Sequence, residues 1–143
     1  MQLKPIQLID SHCHLDDDRF DHDRDQIIAR AKALNIDNII IPATIASRWA
    51  KVKEVSESYE GLYPAYGLHP MFMGSHQAQH LDDLDAWLDR EKPVAVGECG
   101  LDFFTGHADE KQQLKIFSAQ LQLAKKPSAT RHCSRPKSDG SNY

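Results

Sequence analysis

Apolar residues in this chain form short continuous runs that alternate with helically spaced stripes, and this alternation predicts four strand–helix pairs. The runs are typical of strands, and they occupy Ile6–Ile9, Asn38–Pro42, Leu62–Leu68 and Val94–Gly97. A helix is predicted after each run, over Asp25–Leu34, Ser47–Tyr59, a segment marked by Leu81, Leu84 and Leu88, and Glu110–Lys125. The predicted fold class is therefore α/β with a parallel sheet, either doubly wound or part of a (β/α)-barrel.

Several of these patterns also predict burial. The first run, Ile6–Ile9, is expected to be a short buried strand, and the β-branched run ending at Pro42 a strand covered on both faces. In the last helix, Leu114, Phe117, Leu121 and Ala124 fall on one stripe. We expect Phe117, Trp49 and Trp87 to pack in the core or between helices.

Composition narrows the functional classes. The 143 residues suit one domain, and 41% hydrophobic with 27% charged residues is ordinary for a globular protein. The net charge of −4 does not favour non-specific binding to nucleic acid. A nucleic-acid substrate would therefore have to be held locally, by a metal or a few cations. No apolar run approaches transmembrane length, and no signal peptide is apparent at the N-terminus. Cys13, Cys99 and Cys133 are scattered, which favours free thiols and a cytoplasmic location.

The most distinctive polar residues follow the predicted strands. His12 and His14 follow the first strand, and the alternation of strand side chains puts both imidazoles on one face. His69 follows the third strand, and Glu98 and Asp102 follow the fourth. The carboxyl ends of parallel strands meet at one rim, where two imidazoles and a carboxylate would suit Zn²⁺, Mn²⁺ or Mg²⁺.

For some of these residues a structural role competes with a role in the site. Glu98 is favoured as a ligand, because an unpaired carboxylate after an apolar strand would be costly. His69 could simply end a strand before Pro70 or could face the substrate, and Asp102 could cap the next segment or orient a ligand. Asp10 is expected to accept a hydrogen bond behind the ligands rather than to bind the ion itself. Four further histidines are expected to be solvated: His22, His76, His80 and His107.

Taken together, four segments closely resemble the TatD family of metal-dependent deoxyribonucleases. They are Ile9-Asp10-Ser11-His12-Cys13-His14, Ile41-Pro42-Ala43-Thr44, Tyr66-Gly67-Leu68-His69-Pro70 and Val96-Gly97-Glu98-Cys99-Gly100-Leu101-Asp102. The resemblance runs from about Leu8 to Lys126. It implies a (β/α)-barrel with two divalent metal ions at its carboxyl rim and hydrolysis of DNA phosphodiester bonds. By position, His12 and His14 would bind one ion, Glu98 would bridge to the second, and His69 would lie beside the site.

The resemblance divides the chain into residues 1–126, about the first four βα units of such a barrel, and residues 127–143. The family pattern continues into a fifth strand carrying a ligand histidine, a later histidine and an aspartate near the eighth strand. Residues 127–143 are polar and do not match it. Our hypothesis is a shifted reading frame near the codon of Pro127, because permitted codons read one nucleotide later give an apolar strand with a histidine. A sheet of four strands would have open edges, which favours self-association.

Two alternatives stay open at this point. One is another metal-dependent hydrolase of the amidohydrolase type, which also begins with His-x-His. That type often carries a lysine after the fourth strand, where this chain has Glu98. The other is a non-catalytic fragment of a disrupted gene, which would at most bind metal weakly. Metal-dependent cleavage of single-stranded DNA would separate the fragment from the enzymes.

Overall fold

The strands pair in parallel, each with its neighbour in sequence. A computed structural model describes residues 6–104 and 109–126. Its single sheet has the order β1-β2-β3-β4, formed by Leu8–Asp10, Ile36–Pro42, Leu62–Tyr66 and Ala95–Val96. The helices are α1 (Arg24–Ala33), α2 (Trp49–Ser58), α3 (Gln79–Glu91) and α4 (Glu110–Lys125). A doubly wound sheet would reverse its strand order, whereas this unbroken order forms a curled half-barrel.

The termini of the elements follow local rules. A left-handed Asn35 (φ 63°) follows α1, and a left-handed Lys92 (φ 48°) follows α3. Asp109 caps α4, because its side chain accepts a hydrogen bond from the backbone N–H of Gln112 at 3.1 Å. Gly61 has φ 89°, and a Cβ there would lie 2.1 Å from the carbonyl oxygen of Asp37. Glycine is therefore required where the chain enters β3.

The core lies between the sheet and the helices, and α2 contributes more buried apolar side chains to it than any other described helix. Ile39 and Ile41 of β2 are buried against Trp49 and Val52 of α2 and other apolar residues. The indole N–H of Trp49 also donates to the carbonyl oxygen of Gly67 at 3.1 Å, which ties α2 to the end of β3. As expected, Trp49 lies in the core and Trp87 packs against it, with ring centroids 5.7 Å apart. In the part of the chain that the structure describes, no helix is long and apolar enough to cross a membrane.

The expected burial of the first strand is wrong. Ile6, Leu8 and Ile9 are exposed, and Ile9 retains 66% of its accessible surface. The reason is the position of β1 at the edge of the sheet, where it pairs with β2 alone. Within residues 6–104 and 109–126, nothing covers the outer side of this strand. The β2 strand is also covered unequally, because Ile39 and Ile41 are buried while Ile40 is only half-buried.

Helix α4 turns a different face inward from the one its apolar stripe suggests. Leu114 and Leu121 are exposed and Phe117 is half-buried, whereas Gln113, Ile116 and Gln120 are buried. Both glutamines are paired with the main chain. Gln120 accepts a hydrogen bond from the N–H of Leu68 at 2.8 Å and donates to its carbonyl at 3.1 Å. Gln113 likewise accepts a hydrogen bond from the N–H of Asp102 and donates to its carbonyl, both at 2.8 Å. These paired bonds offset the cost of burying two amides and fix the rotation of α4.

Candidate metal centre at the carboxyl ends of the strands

The first two candidate ligands lie just after β1, on a segment that stays beside β2. The N–H of Cys13 donates to the carbonyl of Ile40 at 3.1 Å, which keeps this segment beside β2. His12 and His14 therefore project to one side, and their ring centroids lie 5.0 Å apart. Asp10 accepts a hydrogen bond from the backbone N–H of His12 at 3.0 Å, so its carboxylate helps to fix the turn on which His12 lies.

Glu98 reaches the same place from β4. The N–H of Gly97 donates to the carbonyl of Tyr66 at 2.9 Å, and the N–H of Glu98 donates to the carbonyl of Ala43 at 3.0 Å. These bonds tie the segment after β4 to the ends of β3 and β2. The converging strand ends thus bring a carboxylate from one edge of the sheet to the imidazoles that follow the other edge.

Three donor atoms form a small triangle at this rim. His12 Nε2 and His14 Nε2 are 3.3 Å apart, and each lies 3.4 Å from Glu98 Oε2. Donors bound tetrahedrally at about 2.1 Å stand roughly 3.4 Å apart, and neighbouring octahedral donors roughly 3.0 Å. Glu98 Oε2 is buried and has no hydrogen-bond partner among the described residues. The spacing, the chemistry of the donors and this unpaired oxygen all fit a divalent cation.

His69 holds the other oxygen of the same carboxylate. Its Nε2 lies 3.0 Å from Glu98 Oε1, and its Nδ1 accepts the backbone N–H of Met71 at 3.0 Å. Because Nδ1 is an acceptor, the proton of the neutral ring belongs on Nε2, which donates to Glu98. His69 therefore orients Glu98 so that Oε2 faces the two imidazoles.

Asp102 is not brought into this cluster. Its Oδ1 accepts the backbone N–H of Phe104 at 2.9 Å, and its main chain is held by Gln113 of α4. Of the two roles expected for Asp102, this arrangement matches the cap on the following segment. The structure thus groups His12, His14, Glu98 and His69 around one point, with Asp10 behind His12 and Asp102 apart.

A cleft of about 500 Å³ opens beside the triangle and contains residues that the sequence reading did not single out. Thr44 and Arg48 follow β2 and line it, as do the acidic residues 16–18 and the apolar pair Met71 and Phe72. Their position in the sequence could have identified Thr44 and Arg48, because residues after β2 lie at the same rim as those after β1, β3 and β4. The guanidinium of Arg48 is already paired with Asp18 at 3.0 Å and 3.2 Å.

The expectation that His76 is solvated is wrong. Its side chain is only 7% exposed, and Nε2 lies 2.8 Å from the carbonyl oxygen of His69. Burial lowers the pKa of His76, so the ring is neutral at pH 7 and donates from Nε2. His76 thereby braces the loop that carries His69.

The described cysteines are free, as expected for Cys13 and Cys99. Burial raises the pKa of both thiols, which keeps them protonated and unreactive near neutral pH. Cys133, His107 and the whole segment 127–143 lie outside the described residues.

Comparison with known proteins identifies the family. A family model described as TatD related DNase matches residues 9–130, and this chain belongs to that family. The match confirms the resemblance seen in the sequence and favours it over the amidohydrolase alternative.

Individual relatives agree with this assignment. The chain is 39% identical over 122 residues to an uncharacterized metal-dependent hydrolase, YjjV, of Escherichia coli, covering 84% of this chain and 47% of the relative. It is 33% identical to human deoxyribonuclease TATDN3, covering 88% and 51%. Against the 3'-5' ssDNA/RNA exonuclease TatD of Cronobacter sakazakii, it is 32% identical, covering 82% and 44%.

Solved structures give the same answer for the fold. The crystal structure of YjjV superimposes with a TM-score of 0.78 at 40% identity, covering 82% of this chain and 46% of that one. A TatD family hydrolase from Entamoeba histolytica gives a TM-score of 0.71 at 26% identity, covering 82% and 45%. The chain therefore spans about half the length of the curated relatives it matches, and that half is built as in the TatD barrel.

Proposed function

We propose that this chain contributes the first half of a metal-dependent phosphodiesterase site for DNA, with His12, His14 and Glu98 as metal ligands. The observation that carries the proposal is the triangle of donor atoms 3.3 to 3.4 Å apart, one of which is a buried carboxylate oxygen without a hydrogen-bond partner in the described chain. The relative YjjV is a metal-dependent hydrolase by name and other relatives are nucleases by name, and we extend both properties to this chain as part of the proposal.

Some residues of the proposed site would bind the ion, and others orient those ligands. Two neutral imidazoles and one carboxylate carry a single negative charge, so a divalent ion at the site keeps a net positive charge for a phosphate. A divalent cation supplies Lewis acidity, which polarises a phosphoryl oxygen and activates water for attack. His69 fixes Glu98 through Oε1, and Asp10 fixes the backbone of His12. Glu98 is thus the proposed catalytic ligand and His69 its positioning residue.

A second ion belongs to the proposal by family resemblance. By that resemblance Glu98 would be a ligand of both ions, and His69 fixes its carboxylate through Oε1. The remaining ligands implied by the family follow later strands, beyond the residues that the structure describes. Mg²⁺, Mn²⁺ and Zn²⁺ all accept imidazole and carboxylate ligands.

The cleft suits a single DNA strand that is held at one point by the ion, rather than over a broad positively charged surface. The acidic residues 16–18 pair with Arg19 and Arg48, the two arginines of the lining, so the proposed attraction for a phosphate comes from the ion. Met71 and Phe72 are 58% and 39% exposed on the wall of the cleft, and the ring of Phe72 lies 5.7 Å from that of His69. A nucleobase can stack on such an apolar surface without sequence preference.

The proposed site is tested first by metal affinity. Titration calorimetry with Mn²⁺ or Zn²⁺ should show binding to the unsubstituted chain. His12→Ala, His14→Ala and Glu98→Gln should each weaken it by more than about 100-fold, because removing a ligand costs more than removing a group behind one. His22→Ala is the control, since His22 is exposed and faces Asp23. Equal affinity in Glu98→Gln and the unsubstituted chain would contradict the assignment.

Nuclease activity is tested separately from metal binding. A labelled single-stranded DNA should be cleaved when a divalent ion is added, and Glu98→Gln should abolish the cleavage. Metal binding without cleavage would favour the alternative of a non-catalytic fragment. That alternative is supported by one observation, namely that the chain spans about half the length of its curated relatives.

We also propose self-association and a reducing compartment. The exposed apolar residues of β1 and the exposed stripe of α4 form surfaces that a second copy would cover. Cys13 and Cys99 are free and half-buried, which suits the cytoplasm.

A further inference from the structure

The loop after β1 contains a second buried carboxylate beside the proposed metal site. Asp16 is only 6% exposed, and its Oδ1 is buried without a hydrogen-bond partner among the described residues. This oxygen lies 3.9 Å from Nδ1 of His14, the ring nitrogen on the opposite side from the triangle. A buried carboxylate oxygen without a partner is costly, so its position calls for a physical reason.

Arg48 holds Asp16 itself, and Arg24 holds the backbone on either side of it. The Nη2 atom of Arg48 donates to the carbonyl oxygen of Asp16, and its Nε lies 3.4 Å from Asp16 Oδ2. Arg24 is buried and donates from Nε to the carbonyl of the neighbouring Leu15 at 2.6 Å. Oδ2 and the backbone of Asp16 are thus fixed by cations, and Oδ1 is the one oxygen left to face His14.

The chemistry of a histidine ligand supplies the missing partner. A neutral imidazole carries one proton, so Nε2 of His14 can present a lone pair to a cation only when the proton is on Nδ1. An Nδ1–H near a carboxylate donates to it, and such a bond orients the ring and raises its basicity. A shift of about 1 Å would bring the two atoms from 3.9 Å into hydrogen-bond range.

We infer that Asp16 is the positioning residue of His14, accepting a hydrogen bond from Nδ1–H so that Nε2 faces the metal ion. This inference rests on the proposed metal site and adds a residue that acts on the ion through His14. Arg48 then serves the site indirectly, because it holds Asp16 from the far side.

Metal affinity tests the inference with a matched control. Asp16→Ala should weaken Zn²⁺ binding by about 10- to 100-fold, the usual cost of removing a group that orients a ligand histidine. Asp16→Asn should recover part of this loss, since its amide oxygen still accepts a hydrogen bond and the side-chain volume is unchanged. Asp18→Ala removes another carboxylate partner of Arg48, one that is exposed and is not paired with His14, so its affinity should stay unchanged.

A second readout reports on the bond itself. In the zinc-loaded chain, nitrogen-15 NMR should show a downfield Nδ1 proton on His14 that exchanges slowly with water, and in Asp16→Asn it should exchange faster. Comparable exchange in both chains, or equal loss of affinity in Asp16→Ala and Asp18→Ala, would overturn the inference.

The two proposals fail in different ways. Affinity that is lost in His14→Ala but unchanged in Asp16→Ala would remove the role of Asp16 and leave the metal site standing. Absence of zinc binding by the unsubstituted chain would overturn both. Circular dichroism of each variant establishes that it is folded, and Asp16→Asn serves if Asp16→Ala is not.

Discussion

Gly67 shows how closely the position of Glu98 depends on a single missing side chain. This glycine follows β3, and a Cβ added to it would lie 2.6 Å from the carbonyl carbon of Gly97. The same atom would lie 2.8 Å and 2.9 Å from the backbone oxygen and nitrogen of Glu98. All three neighbours are main-chain atoms, so the contact cannot be relieved by a side chain turning away. The segment that carries Glu98 approaches the end of β3 this closely only because the residue there is glycine.

We predict that Gly67→Ala displaces Glu98 and lowers both stability and metal affinity. Overpacking of this kind typically costs about 1–3 kcal/mol of unfolding free energy. Chemical denaturation measures the stability, and titration with Mn²⁺ measures the affinity. Gly74→Ala is the matched control, because a Cβ at Gly74 meets no atom within 4 Å. Equal behaviour of the two variants would show that the close approach is unimportant.

At the scale of residues, the sequence predicted the grouping of the candidate ligands better than the contacts of their neighbours. His12, His14 and Glu98 were predictable because strand alternation and the shared rim of parallel strands need only local spacing. The contacts of Asp16 with His14 and of His76 with His69 were not, since each depends on how a loop folds back on itself, which hydrophobic periodicity does not measure.

At the scale of elements, α4 is attached to the site through Gln120. This side chain is buried and pairs with both backbone groups of Leu68, the residue before His69. The sequence predicted the bounds of α4, Glu110–Lys125, but not which face turns inward. Hydrophobic periodicity reads a glutamine as polar and therefore exposed, and it has no means of detecting a backbone that needs a partner.

We predict that Gln120→Leu destabilises the fold despite adding an apolar group to the buried face. It leaves the N–H and C=O of Leu68 buried without partners, and each unpaired group costs about 1–3 kcal/mol. Denaturant unfolding measures the loss. Gln122→Leu provides the comparison, because Gln122 is exposed on the same helix. An unchanged midpoint in Gln120→Leu would mean that the paired bonds contribute little.

The loop between β3 and α3 should make stability depend on pH through His76. Burial lowers the pKa of this ring in the folded chain, so the unfolded chain takes up the proton first as the pH falls below about 6.5. The contribution to stability is therefore complete above that pH and is lost as the solution becomes more acidic. His76→Gln retains a donor for the carbonyl of His69 and cannot titrate, so we expect its melting temperature to fall less between pH 7 and pH 5. An equal fall in melting temperature for His76→Gln and the unsubstituted chain would refute this explanation.

At the scale of the whole molecule, the described chain is a half-barrel of a family whose members are about twice as long. The unbroken strand order was predictable as one of two parallel arrangements, and the structure decides between them. The out-of-frame origin of residues 127–143 stays a prediction. Reading the genomic DNA past the codon of Pro127 in all three frames tests it, with a fifth apolar strand carrying a histidine as the expected result.

The open edge of β1 leads to the last prediction, which is that the chain associates with itself. Leu8 and Ile9 of β1 and Ile6 just before it are apolar and exposed, and within the described residues the outer side of β1 has no partner strand. Sedimentation velocity should therefore show species heavier than the 16.2 kDa monomer, in proportions that rise with concentration. Ile9→Lys places a charge on this edge and should shift the population towards monomer, because a buried lysine without a partner would oppose pairing.

Met71→Lys separates the edge from general surface hydrophobicity. Met71 is nearly as exposed as Ile9 but lies on the wall of the cleft and is not part of β1, so the same substitution there should leave association unchanged. If both lysine variants dissociate the assembly equally, the contact does not depend on β1. If the unsubstituted chain sediments as a monomer at every concentration, self-association is wrong, and the exposed edge must then be tolerated in solution by the described half-barrel.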